Sequence, residues 1–179
     1  MASVPADVRR IRPLETEYTP YYGRYVAQVG DGDIVAAMED QAATLLSRWS
    51  RWTESQGAQA YAPGKWTVRQ VLGHLVDTER VFVYRAMRFA RADSTELSGF
   101  DENAYVDHAS FDDRSLASLI REWSAVRDAS VAFFDSLTEG EWARHGVANG
   151  NSVSVRALAY IAAGHTVHHD SLFKERYHL

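Results

Sequence analysis

Apolar residues recur at intervals of three and four in four long segments of this chain, and such periodicity is typical of amphipathic helices. The predicted helices cover approximately residues 31–57, 67–92, 114–137 and 152–177. No segment has the regular alternation of apolar and polar residues that marks a half-buried strand. Four helices joined by three connections predict an all-α fold, a four-helix bundle.

Local capping signals set the expected starts of three of these helices. Asp33 is a suitable N-cap for the first helix, which should stop near Gly57. Thr67 is followed three residues later by Gln70, which is the spacing of a capping box. The fourth helix is expected to be capped by one of two serines, Ser152 or Ser154.

Two polar stretches separate the later helices. Residues 93–113, "DSTELSGFDENAYVDHASFDD", are interpreted as a long polar loop. Loops of that length inside a compact domain are uncommon and are often functional. Residues 145–152, "HGVANGNS", are rich in Gly and Asn and are interpreted as a break between helices.

The first thirty residues differ in character from the rest. Residues 1–30 hold three of the four prolines and a cluster of tyrosines, namely Tyr18, Tyr21, Tyr22 and Tyr25. Leaving these rings in water would be unfavourable, so we expect an irregular N-terminal arm that packs on the bundle. The predicted organisation is therefore an arm over residues 1–30 and a bundle domain over residues 31–179.

Composition excludes several classes of function. The net charge of −5 argues against nucleic acid as a partner, because phosphate binding needs a basic surface. The absence of cysteine excludes disulfides and thiolate ligands, so any metal must be held by nitrogen and oxygen. No segment resembles a signal peptide or approaches the roughly 20 apolar residues of a membrane span. A cytoplasmic protein with no membrane partner is the expectation.

Three of the seven histidines lie within five residues, in the apolar run "AYIAAGHTVHHDSLF" of the fourth helix. At about 100° per residue, His165 and His169 lie in the buried stripe, whereas His168 lies about 60° to one side. Histidines four residues apart on a helix can converge on one metal ion. For this pair alone, two core histidines bonded to backbone or tyrosine groups are an equally good interpretation.

A third histidine favours a metal site over a pair of core histidines. His74 lies at the edge of the apolar stripe on the second helix, and glycines precede both His74 and His165. A glycine inside a helix costs about 1 kcal/mol relative to alanine, which indicates that room is needed at Gly73 and Gly164. Three inward imidazoles match an open three-histidine site, whose fourth position is left for water or substrate.

Three stretches of the chain resemble the DinB-like superfamily of metal-binding four-helix bundles: "YAPGKWTVRQVLGHLVDTERVFVYRAMRFARAD", "SGFDENAYV" and "SVRALAYIAAGHTVHHDSLFKERY". The resemblance covers nearly the whole chain, including "EYTPYYGRYV" in the arm. It implies an up-up-down-down bundle, frequent homodimers, and a divalent metal held by His74, His165 and His169. Family members often continue the double histidine with x-Gly-Gln, whereas Asp170, Ser171 and Leu172 follow here.

A divalent ion held by three neutral imidazoles is a good Lewis acid, so two chemistries are open. Activated water would make the protein a hydrolase of a small-molecule substrate, with Asp77 as base or as a partner that orients a ligand. An activated low-molecular-weight thiol would make it a thiol S-transferase, a type that the superfamily includes. A non-catalytic metal-binding or stress-related protein is the alternative. Zinc is the expected ion and nickel the second choice.

Other candidate residues admit more than one role. An ion pair with Arg80 on the helix surface explains Asp77 as well as catalysis does. Arg85 could bind a substrate carboxylate or pair with a buried acid. His108 could cover the site, although a solvated loop histidine is the simpler interpretation. Trp66 is interpreted as packing at the start of a helix rather than as a substrate platform, and His168 as a flanking residue.

Overall fold

The computed structural model describes residues 8–179, which fold into eight α-helices and one β-hairpin. The helices are Pro20–Val26 (α1), Ile34–Trp49 (α2), Glu54–Gly57 (α3), Val68–Ala90 (α4), Glu102–His108 (α5), Leu116–Asp135 (α6), Glu139–Trp142 (α7) and Val155–Glu175 (α8). The strands are His145–Ala148 (β1) and Asn151–Ser154 (β2). The four long helices α2, α4, α6 and α8 form a bundle, which confirms the predicted fold class. None of the helices in residues 8–179 is long and apolar enough to cross a membrane.

The predicted caps are confirmed at three helix starts. The side chain of Asp33 accepts hydrogen bonds from the backbone at the start of α2. Thr67 and Gln70 form the capping box of α4, and Ser154, rather than Ser152, caps α8. The first helix ends at Trp49 and not near Gly57, because Thr53 caps a new short helix, α3.

The directions of the helices follow from pairs of residues that touch. The side chain of Gln41 donates to the carbonyl of Ala163, and Trp49 packs on Phe173, so α2 and α8 are parallel. Met38 and Trp49 of α2 meet Arg127 and Trp123 of α6 in reverse order, so these helices are antiparallel.

The same test orients the remaining long helix. Phe82 and His74 of α4 lie against His165 and His169 of α8, so α4 and α8 are antiparallel. Since α2 and α8 are parallel, α4 and α6 both run opposite to them. The order is therefore up-down-down-up, and the up-up-down-down order implied by the resemblance is wrong.

This order explains the long connection between α4 and α6. Because these two helices are parallel, the chain must return along the bundle, a distance of about 34 Å for the 23 residues of α4. The connection is not the loop predicted for residues 93–113. It contains α5, which Asp101 caps, and a 3-10 turn over Phe111–Asp113. The ring of Phe111 packs where Gly73 lacks a side chain.

The break predicted before the fourth helix is also more regular than expected, because it forms the hairpin of β1 and β2. Asn149 and Gly150 occupy its turn with φ of 53° and 71°. An Asn-Gly pair with two positive φ values is the sequence signal of a two-residue hairpin turn. The hairpin closes over the end of α4, where Gly146 packs against Phe89, and it pairs with Leu97 of the long connection.

Buried polar side chains form a layer between two apolar clusters of the core. One cluster, around Phe89, Phe134 and Trp142, fills one end of the bundle. The other, around Trp49, Trp123 and Phe173, fills the opposite end. The polar layer between them contains the following residues: His74, Thr78, Glu79, Arg127, Ser130, His165, Thr166, His169 and Asp170. The histidines of interest therefore lie at mid-height in the bundle.

The N-terminal segment packs on α8, and it contains more regular structure than the predicted irregular arm. Tyr21, Tyr22 and Tyr25 lie on α1, and Tyr25 is buried. The backbone of α1 approaches α8 at Gly164, where any Cβ would overlap the carbonyl of Tyr25. The room left by Gly164 is therefore used by α1 and not by the neighbouring imidazole. Residues 1–7 of the predicted arm lie outside the described residues.

Candidate metal centre

Two helices bring three imidazoles to one point in the bundle. His74 comes from α4, and His165 and His169 come from α8, one turn apart. The Nε2 atom of His165 lies 3.1 Å from that of His74 and 3.1 Å from that of His169. All three side chains are buried, and their ligand atoms lie within 4.8 Å of one another. The structure thus brings together the three histidines that the sequence singled out.

Two of the nitrogen–nitrogen separations match those expected around a bound metal ion. Two imidazole nitrogens bound tetrahedrally to one ion at 2.0–2.1 Å would be about 3.3 Å apart. The separations of 3.1 Å are close to this value. A single proton can bridge only one nitrogen pair, whereas a cation is attracted by all three lone pairs at once. The donor set therefore suits a divalent ion better than a hydrogen-bonded histidine cluster.

Burial keeps these imidazoles in the neutral form that a metal requires. Desolvation, with a smaller effect of His168, lowers the pKa of His74 to about 4. Desolvation and the neighbouring imidazoles also hold the pKa values of His165 and His169 well below the usual range. The lone pairs are therefore available at neutral pH, because none of them is occupied by an added proton.

Neighbouring groups fix the orientation of the rings. The hydroxyl of Thr78, one turn along α4, lies 3.3 Å from Nδ1 of His74. If Nε2 bound a metal, Nδ1 would carry the proton, and the Thr78 hydroxyl is placed to accept its hydrogen bond. The ring of Tyr25 packs edge-on against His165 at 5.2 Å between centroids. Nδ1 of His169 is buried and has no partner among the described residues.

The three nitrogens face a cavity of about 480 Å³. Aromatic side chains form much of its wall, namely those of Tyr22, Tyr25, Phe82 and Phe100. The hairpin turn adds Asn149, Asn151 and Ser152. This size, with an aromatic wall and a few polar groups, is typical of sites for small molecules.

Comparison with known proteins agrees with this architecture. The model of the DinB superfamily matches residues 37–173. The chain belongs to the DinB superfamily. The resemblance seen in the sequence is thereby confirmed.

A solved structure shares the fold of this DinB superfamily protein. YfiT from Bacillus subtilis, described as a probable metal-dependent hydrolase with an unusual four-helix bundle topology, superposes with a TM-score of 0.73. The match covers 94% of this chain and 93% of that one, at 19% sequence identity. A search of curated proteins found no significant match.

Two residues of this DinB superfamily protein lie closer to the site than the sequence indicated. The ring of Trp66 packs 4.9 Å from that of His74 and lines the cavity, in addition to its place at the start of α4. His168 also lines the cavity, half-buried, with its ring 5.5 Å from that of Tyr25. Periodicity placed His168 on the flank of α8 correctly, but it could not show that the cavity extends to that flank.

The structure does not bring Asp77 to the histidines. Its carboxylate lies 3.6 Å from Arg80, near Glu122 of α6, and it does not line the cavity. Asp77 lies only about 60° around α4 from His74, but that flank of the helix faces Arg80 and Glu122 of α6 and not the cavity. Burial raises the pKa of Asp77, against the effect of Arg80. The surface ion pair is the interpretation that the structure supports.

Of the two remaining candidate residues, Arg85 lines the cavity and His108 does not. Arg85 is buried and lines the cavity, where Nη2 donates to the carbonyl of Ser98 at 2.9 Å. His108 is exposed, bonds the carbonyl of Ala104 within its own helix, and does not line the cavity. His108 is therefore not a cover for the site.

Sequence reasoning missed the buried ion pair behind the histidines. Both nitrogens of one edge of Arg127 donate to the carboxylate of Glu79, at 2.8 and 2.9 Å. Arg127 also donates to Thr166, the residue after His165, and to Gln41. The position of Arg127 within the apolar stripe of the third helix was the available signal, because a charge there needs a buried partner.

Proposed function

We propose that this protein binds one divalent metal ion through His74, His165 and His169 and acts as a metal-dependent hydrolase on a small-molecule substrate. The observation that carries the proposal is the convergence of three buried, neutral imidazoles on one wall of a cavity of about 480 Å³. Membership of the DinB superfamily supports it, as does the fold shared with YfiT, a probable metal-dependent hydrolase.

An ion in this position supplies Lewis acidity that lowers the pKa of a bound water or thiol. The protein contributes ligands without charge, so the positive charge of the ion would not be reduced by its ligands. The Thr78 hydroxyl is placed to accept a hydrogen bond from Nδ1 of a metal-bound His74, and the buried Glu79–Arg127 ion pair joins α4 to α6 behind the site. The aromatic walls would orient an apolar part of the substrate.

Zinc is the ion that we propose, with nickel as the second choice. A set of three imidazole nitrogens suits both, since nitrogen ligands favour the later divalent metals. Three protein ligands also leave one tetrahedral position for water or substrate, which is the arrangement of catalytic zinc sites.

A thiol S-transferase is the second candidate, with a low-molecular-weight thiol as co-substrate. The observation that favours it is the lack of a carboxylate base beside the histidines: in the described part of the chain, Glu102 is the one acidic residue that lines the cavity. A thiol activated by the ion itself needs no separate base, because its thiolate is already a strong nucleophile. A non-catalytic metal-binding protein is the remaining alternative.

The test begins with metal content and then separates the two chemistries. Elemental analysis of the full-length protein should find about one divalent ion per chain, and His165→Ala should lose it. His145→Ala is a matched control, because His145 is exposed on β1. A protein that binds no divalent ion would contradict both enzymatic proposals.

Activity assays on the zinc-loaded protein then distinguish the candidates. A panel of nitrophenyl esters and amides should be hydrolysed by a hydrolase, and the activity should disappear in His165→Ala. Conjugation of cysteine or other small thiols to chlorodinitrobenzene, dependent on the ion, would instead identify a transferase. A zinc-loaded protein that is inactive in both panels would favour the non-catalytic alternative.

A further inference from the structure

One arginine in the wall of the cavity has no acidic partner. Arg85 is only 5% exposed. No carboxylate lies within ion-pair distance of it anywhere in residues 8–179. The other well-buried arginines are paired: Arg127 with Glu79, and Arg156 with Glu17. A buried charge without a counter-ion is unfavourable, so Arg85 is the place where an anionic ligand would be stabilised.

The neighbours of Arg85 hold its guanidinium in place without neutralising it. Nη2 donates to the carbonyl of Ser98 at 2.9 Å, and the ring of Phe100 lies 5.8 Å away. Burial raises the pKa of the nearby Tyr22 hydroxyl, and the positive charge of Arg85 acts in the opposite direction. A guanidinium has five N–H donors. The bond to Ser98 and the contact with the Tyr22 hydroxyl therefore still leave donors for a ligand in the cavity.

Arg85 and His74 lie on the same face of α4 and line the same cavity. Eleven residues separate them, which corresponds to about 16 Å along the axis and a rotation of only about 20°. Phe82 and Tyr22 lie along the wall of this cavity as well. The cavity thus has a nitrogen cluster, an aromatic wall and a single buried cation.

We propose that the substrate is a small organic carboxylate, whose carboxylate group is bound by Arg85 while its reacting group lies at the three histidines. The assignment of the reacting end rests on the proposed function, whereas the assignment of Arg85 rests on its burial and lack of a partner. A planar guanidinium matches a carboxylate with two parallel hydrogen bonds, which gives both affinity and orientation. The aromatic wall suits an apolar linker between the two ends.

The charges in the cavity favour a carboxylate over a phosphate. Arg85 is the one lysine or arginine among the described residues that line the cavity, and Glu102 lines it too. One positive charge balances a monoanion. At the Arg85 end of the cavity, away from the proposed metal, the second negative charge of a phosphate monoester would have no positive partner among the described residues, and Glu102 lines the same cavity.

The test measures binding of 4-phenylbutanoate to the full-length, metal-free protein by titration in NMR spectra. We expect the wild-type protein to bind 4-phenylbutanoate at least about tenfold more tightly than the neutral 4-phenylbutanamide. Arg85→Gln should remove this preference. Arg91→Gln is the matched control, because Arg91 lies on the surface at the end of the same helix and pairs with Glu141. Its binding should equal that of the wild type.

Two results would overturn the proposal. One is equal binding of the carboxylate and the amide by the wild type, which needs no variant and is independent of any folding defect. The other is tighter binding of phenyl phosphate than of 4-phenylbutanoate. If Arg85→Gln does not fold, Arg85→Lys keeps the charge but loses the planar fork, and it should weaken carboxylate binding several-fold.

A further variant separates this proposal from the proposed function. His165→Ala should lose the metal but still bind 4-phenylbutanoate with an affinity close to that of the wild type, since Arg85 is unchanged. A protein that binds the carboxylate but no metal would contradict the proposed function alone. A protein that binds the metal but shows no preference for the carboxylate would contradict the role of Arg85 alone.

Discussion

The Nε2 atoms of His74 and His165 lie 3.1 Å apart, although 91 residues separate them in the chain. His169 reaches the same point from the next turn of α8. This contact joins α4 to α8 in the polar layer between the two apolar clusters. Whether this contact stabilises the fold depends on whether a cation lies between the nitrogens. Three unprotonated imidazoles are stabilised more by a shared cation than by contact with one another.

The metal-free protein should lose stability as the pH falls through the range in which free histidine titrates. Burial lowers the pKa of His74 to about 4, from about 6.5 in an unfolded chain. The unfolded state therefore binds more protons than the folded state below pH 6.5, so the free energy of unfolding falls as the pH drops towards 4. For His74 alone, this amounts to about 3 kcal/mol.

Urea denaturation of the metal-free protein between pH 8 and pH 4 measures this effect. His74→Gln removes the titrating group, so the free energy of unfolding of this variant should depend less steeply on pH. A free energy of unfolding that stays constant from pH 6.5 to pH 4 would show that the histidines are not buried in neutral form.

Gly164→Ala should destabilise the protein by displacing α1 from α8. The added Cβ would overlap the carbonyl of Tyr25, and backbone cannot move aside as easily as a flexible side chain. Such overpacking typically costs about 1–3 kcal/mol. Thermal unfolding of the variant measures the loss. Gly140→Ala in α7 is the control, since a Cβ there meets nothing within 4 Å, and it should not lower the stability. Equal melting temperatures for the two variants would contradict the close contact.

Arg127→Met should be far more destabilising than a matched change at the surface. It would leave the carboxylate of Glu79 buried without its partner, and breaking a buried pair in this way costs about 3–5 kcal/mol. Arg80→Met breaks an exposed pair with Glu122 and should cost at most about 1 kcal/mol. Chemical denaturation of both variants makes the comparison. The double variant Arg127→Met with Glu79→Leu should recover part of the lost stability, because it also removes the unpaired buried carboxylate.

Asp77→Asn should leave the metal content unchanged, because its carboxylate pairs with Arg80 at the side of α4 that faces α6. Any activity found for the wild-type protein should also persist in this variant within about twofold. Elemental analysis measures the metal content of Asp77→Asn, and the ester and thiol assays measure its activity. His165→Ala is measured in parallel for comparison. A loss of activity comparable to that of His165→Ala would show that Asp77 acts on the reaction.

Local signals in the sequence predicted most of the bundle. Asp33, Thr67 and Ser154 mark helix starts because a side-chain oxygen must satisfy the first backbone N–H groups, and this is a property of a few neighbouring residues. The inward direction of His165 and His169 follows equally locally from the helical period. The turn at Asn149 and Gly150 was also a local signal, although it was interpreted only as a break.

Relationships between distant segments could not be obtained in this way. The parallel direction of α4 and α6 depends on how the connection between them returns along the bundle, and no residue in either helix encodes it alone. The pairing of Arg127 with Glu79 likewise depends on which helices become neighbours. The offset of about 60° between Asp77 and His74 could be calculated from the sequence, but that this flank of α4 faces α6 could not.

The most direct test of the central claim is calorimetric titration of the metal-free, full-length protein with zinc ions. We predict binding of one ion per chain in the wild type and in the surface control His145→Ala. The single substitutions His74→Ala and His165→Ala, on opposite helices, should each abolish this stoichiometric binding. Absence of zinc binding in the wild type, or equal binding after either substitution, would contradict the three-histidine metal centre.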